Sequence, residues 1–172
     1  MRLGLGITVL LLLSSASLTA QTADSTGWNG WQFLLGEWVG SGGGSGPGQG
    51  SGSSTFSYDL QRRVIIRKNH AWYPATTDRP AYSHDDLMVV YREPSKPVQA
   101  VYFDNEGHVI HYTVTLETSG VTFLSDSSAG PRFRLTYTGA GPDSTTIAFD
   151  IAPPGKPNDF SPYIRAGARR RR

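Results

Sequence analysis

The chain has 172 residues, no cysteine, 38% hydrophobic and 17% charged residues, and a formal net charge of +2. That length suits one domain with a core of useful size, and zero cysteine excludes a disulfide scaffold, a thiolate metal centre, a cysteine nucleophile and a bacterial lipid anchor. Aromatics at 11% exclude a disordered chain, and no apolar stretch after the first twenty residues is long enough to cross a bilayer.

Arg2, the apolar run 3–13 and the small residues 14–20 follow the order of an export signal, with a cut after Ala20. The mature chain is therefore expected in the periplasm or outside the cell. Residues 21–27 form a polar leader and residues 28–168 the folded body. Arg169, Arg170, Arg171 and Arg172 form a basic tail. Without that tail and Arg2, 11 basic residues face 14 acidic ones, so the body is mildly acidic and a poor nucleic-acid binder. The tail is expected as a solvated terminus, with contact to an anionic envelope surface as the alternative.

Trp31, Leu34 and Leu35 stand at helical spacing and predict one short helix or helical turn that ends at Gly36. Residues 40–52 hold eight glycines and predict a loop at a barrel mouth. Beyond them, short β-branched and aromatic segments recur about every ten residues, each bounded by turn chemistry. Strands are expected over 37–40, 53–60, 63–73, 85–92, 98–103, 108–116, 121–125, 132–138, 144–151 and 163–168. About ten strands joined by tight turns, with no interleaved helix, make an all-β antiparallel meander. Closing it into a β-barrel removes both edges, and the N-terminal helix would cap one end.

The run Phe33-Leu34-Leu35-Gly36-Glu37-Trp38-Val39-Gly40 opens this meander. A short helix followed by Gly-x-Trp-x-Gly resembles the calycin superfamily, and within it the lipocalin-like, nitrobindin-type barrels related in architecture to fatty-acid-binding proteins. Uncharacterised secreted bacterial proteins share this plan. Gly36 suits a left-handed exit from the helix, and Trp38 suits a plug with its indole N–H on a carbonyl. The resemblance implies a basic side chain over Trp38; Arg165 is the first candidate and Arg134 the second. It also implies haem held by a late histidine. His70, His84, His108 and His111 are the only histidines, and none lies in the last third. No cofactor is therefore expected, with haem kept as an alternative.

His108 and His111 are three apart on a strand and should face opposite sides, which excludes a shared metal. Asp104, Glu106 and His108 belong to a turn in which Asp104 bonds backbone. Ser83, His84 and Asp85 are adjacent and diverge, and no Gly-x-Ser-x-Gly elbow exists, so no catalytic residue is assigned. The remaining polar groups on half-apolar strands are candidate ligand contacts: Asn69, His70, Tyr102, His108, Tyr112, Arg132 and Arg134. The expected function is non-enzymatic binding of a small apolar or amphipathic molecule in the lumen. The alternatives are a barrel enzyme using a lumen histidine as general base, and an envelope interaction protein.

Overall fold

The computed structural model describes residues 27–41, 50–126 and 130–172. The export-signal segment, residues 21–26 of the leader and residues 42–49 of the Gly-rich stretch lie outside the described residues. Ten strands follow one another: β1 (Gly36–Gly40), β2 (Ser51–Asp59), β3 (Val64–Tyr73), β4 (Tyr82–Tyr91), β5 (Val98–Asp104), β6 (Val109–Glu117), β7 (Gly120–Ser125), β8 (Arg132–Gly141), β9 (Ser144–Ala152) and β10 (Ser161–Arg170). Each pairs antiparallel with the next, and β10 returns to β1, so the sheet is a closed barrel.

One end of the barrel is shut by residues 28–35. Among the described residues this segment holds two successive turns rather than a helix, with Trp31 N–H donating to Trp28 O at 3.3 Å and Leu34 N–H to Trp31 O at 3.0 Å. Gly27 and Gly30 have φ of 73° and 89°, a backbone that interrupts helix and lets the chain cross the barrel end. Trp28, Trp31 and Leu34 are fully buried. Trp31 meets Phe123 edge-on at 6.1 Å, and Tyr112, Tyr137 and Phe56 continue the same edge-to-face packing. Such aromatic pairs add about 0.5–1.5 kcal/mol each beyond the area they bury. Trp28 Nε1 donates to Arg62 O at 2.7 Å, in the β2–β3 turn. There Leu60, Gln61 and Arg62 all have positive φ, and Leu60 leaves the strand and is exposed.

Trp38 is buried, and its indole N–H donates to Leu34 O at 2.7 Å. The cation over its ring is Arg170, with the guanidinium carbon 4.4 Å from the ring centre. Arg165 and Arg134 instead share Asp150. The reason is register: Arg170 is the β10 partner of Trp38, whereas Arg165 lies five residues back up the strand. Arg170 also donates to Leu35 O and, at 3.0 Å, to Phe33 O.

Half of the basic run is therefore part of the barrel. Arg169 and Arg170 are the last residues of β10, Arg171 pairs with Glu37 at 3.2 Å, and Arg172 with Asp143 at 3.2 Å. Gly36, at φ 112°, keeps this contact possible, because a Cβ there would stand 2.8 Å from Arg170 Nη1. Gly40 also lies on β1, where a Cβ would meet only the Gly52 backbone at 3.5 Å.

Arg170→Ala should lower stability by about 2–3 kcal/mol, combining a cation–π contact with charged hydrogen bonds to two carbonyls. Arg165→Ala should cost about 1 kcal/mol or less, since Arg134 stays on Asp150 and both arginines are partly solvated. Urea denaturation of the two variants, compared side by side, checks the order.

Candidate functional site

Inside the barrel, above the aromatic floor, lies a cavity of about 540 Å³. Its two walls differ in chemistry. Strands β8, β9 and β10 present Phe133, Leu135, Ile147, Phe149 and Ile164, with Ala166 and Ala168 lower down. Phe133 and Phe149 stack at 5.8 Å. A register shift in β10 between Pro162 and Ile164 turns both Tyr163 and Ile164 toward the cavity.

Strands β3, β4, β5 and β6 present the opposite wall, which is polar. Their register places Asn69 beside Asp86, and Asp86 beside Asp104. Arg67 pairs with Asp86 at the bottom of the wall, with both side chains almost fully buried. Asn69 Nδ2 donates to Asp86 Oδ2 at 2.9 Å. Burial raises the Asp86 pKa above the usual carboxylate value, although Arg67 and Asn69 pull it down. Arg67 is held above its ordinary value because Tyr137, Asp86 and neighbouring hydroxyls outweigh the cost of burial.

Above this pair a chain of five groups joins β4, β5 and the turn between β5 and β6. Glu106 Oε1 meets His84 Nδ1 at 3.0 Å, and His84 Nε2 meets the Tyr102 hydroxyl at 2.9 Å. The hydroxyl donates to Asp104 Oδ2 at 3.2 Å, and the same oxygen meets His108 Nδ1 at 2.9 Å. The other Asp104 oxygen accepts the backbone N–H of Glu106 at 3.0 Å and of His108 at 2.9 Å, which forms the turn between β5 and β6. Burial alone would raise the Asp104 pKa, but these bonds from His108 and Glu106 hold it below the ordinary value. Burial and the nearby charges of Asp86 and Asp104 push the Tyr102 and Tyr112 hydroxyls well above theirs.

Of the sequence candidates, Asn69, Tyr102, His108 and Tyr112 line the cavity. His70 does not: it faces outward on β3, with Nδ1 at 2.6 Å from Asp85, beside a more open outer hollow of about 500 Å³. Arg132 bonds Ser125 O, Pro157 O and Asn158, and Arg134 lies on Asp150 and the Phe160 ring, so neither joins the cavity lining. Alternation explains both corrections. Phe133, Leu135 and Tyr137 take the inward positions of β8, and the arginines between them must point out. His111 is outward and His108 is at the cavity, as the spacing of three demanded. The residues missed from sequence are Arg67, His84, Asp86, Asp104 and Glu106.

Haem needs an imidazole with a free nitrogen over an apolar face. Strands β8 to β10 carry no histidine, His84 has both ring nitrogens engaged, and His108 is largely exposed at the rim. This donor set does not fit the group.

Removing one partner of the buried Arg67–Asp86 pair should cost about 3–5 kcal/mol, because the other charge is left uncompensated. Asp86→Ala and Arg67→Ala should each show that loss in urea denaturation, while Arg67→Met with Asp86→Leu recovers most of it. For Asp104 the folded pKa lies below the unfolded one, about 3.9. Its stabilising contribution is therefore present above that pH and lost as pH falls through the folded value. Asp104→Asn should flatten the acid limb of a stability-against-pH curve.

No protein-family model matches this chain, and no curated protein does. Among solved structures it is similar to the crystal structure of Rv2717c from M. tuberculosis, with TM-score 0.57 at 14% sequence identity, covering 84% of this chain and 98% of that one. At this identity the likeness is one of fold: a ten-stranded antiparallel closed barrel.

Proposed function

We propose that the protein binds a small amphipathic molecule in its lumen and performs no chemistry on it. The observation that carries this reading is the two-sided cavity, apolar along β8 to β10 and hydrogen-bonding along β3 to β6. A volume of about 540 Å³ falls in the ordinary range for small-molecule pockets. The aromatic floor and the buried N-terminal turns close one end, so the ligand enters past Tyr73, Tyr82, Glu106 and Tyr163. The export-signal pattern of residues 1–20 adds a setting outside the cytoplasm to this reading.

One observation favours a second reading, a barrel enzyme. Glu106, His84 and Tyr102 form a carboxylate–imidazole–hydroxyl chain at the cavity, in which a carboxylate orients the imidazole. The raised Tyr102 pKa weighs against a tyrosinate nucleophile and favours a hydroxyl that only donates.

Titration with N-phenyl-1-naphthylamine, a neutral apolar fluorophore, tests the binding reading. One molecule per chain should bind with enhanced, blue-shifted emission. Ala166→Trp, which fills the apolar wall, should weaken it at least tenfold with the far-ultraviolet circular dichroism unchanged. Equal binding by a folded Ala166→Trp protein would overturn the lumen as the site.

A further inference from the structure

Resting on the lumen reading, we infer that the ligand carries a cationic amine head rather than a carboxylate. The inference comes from the charges that line the cavity. Among the described residues, Asp86, Asp104 and Glu106 stand on its polar wall together with His84 and His108. Two permanent cations also line it, Arg67 and Arg165. Arg67 is already committed to Asp86. Arg165 is turned onto Asp150 and the carbonyls of Phe149 and Ile164, away from the polar wall. With Arg67 and Arg165 so engaged, the other permanent charges lining the cavity are the carboxylates of Asp104 and Glu106, which repel a carboxylate and attract an ammonium.

The mouth adds a second attraction. Tyr73 and Tyr82 stack at 4.7 Å, and Tyr163 stands edge-on to Phe149 at 6.1 Å. All three tyrosines line the cavity. Electron-rich ring faces attract ammonium groups; the Tyr82 ring already has Tyr73 on one face and Arg79 over the other at 4.3 Å, which leaves Tyr73 and Tyr163 for that contact.

The arrangement suits an amphipathic amine whose ammonium lies near Asp104 and Glu106, with its apolar part against Phe133, Ile147 and Phe149.

The test is competition against bound N-phenyl-1-naphthylamine by octylamine, octanol and octanoate, which share one tail and differ in head charge. Octylamine should displace the fluorophore at least tenfold more effectively than octanol, and octanoate should be the weakest. In Glu106→Gln the advantage of octylamine over octanol should shrink severalfold, a ratio that a general loss of folding would not change. Octanoate matching or exceeding octylamine, or no difference among the three, would overturn the amine head and leave the lumen reading standing. Failure of the neutral fluorophore itself to bind would overturn both.

Discussion

Closure of the barrel depends on one contact, the guanidinium of Arg170 over the indole of Trp38. β1 is only five residues long, and it must pair with β2 on one side and β10 on the other. A strand that short offers few ladder hydrogen bonds, so side-chain contacts must hold the seam. Trp38 supplies the ring and ties back to Leu34 O, while Arg170 covers that ring and reaches the carbonyls of Leu35 and Phe33. The same two side chains thus join the first strand, the last strand and the segment that shuts the barrel end. Gly36 is required because a Cβ would occupy the place of the guanidinium.

With the seam closed, one end is packed solid and the other can stay open. Five aromatic rings fill the lower barrel through four successive edge-to-face contacts, Trp28 to Trp31, Phe123, Tyr137 and Phe56. Buried charge begins only above that floor, at Arg67 and Asp86. A buried ion pair is weak as a source of stability, because desolvation of both ions offsets much of their attraction. In the wall of a cavity, with Asn69 oriented on the same carboxylate, it fixes the direction of these polar groups toward the lumen. The five-group chain from Glu106 to His108 has the same character, since each member fixes the orientation of the next.

How far the sequence could disclose this varied strand by strand. In β8 the alternation of Phe133, Leu135 and Tyr137 was enough to send Arg132 and Arg134 outward, and reading the arginines as ligand contacts overlooked it. In β4 no such signal existed, because Leu87 and Val89 are as apolar as Met88 and Val90, so neither face declared itself. His84 and Asp86 were hidden for that reason. β3 is similar: Ile65 and Ile66 stand on opposite faces, and polar residues follow on both. The basic run at residues 169–172 looked like a solvated tail because four consecutive arginines carry no periodicity. Only the pairing of Trp38 with Arg170 gives two of them a place in the sheet.

The amino-acid sequence by itself determined the number of strands, their order and their antiparallel connection, because turn chemistry and short β-rich segments are local properties of the chain. It also determined the buried role of Trp38 and the turn built on Asp104, which depend on neighbours within a few residues. The tertiary structure alone decided which arginine covers Trp38, which histidine reaches the lumen and which carboxylates share its wall. Those choices depend on register between strands, and a slip of one residue would exchange the inner and outer faces of a strand without changing any local preference.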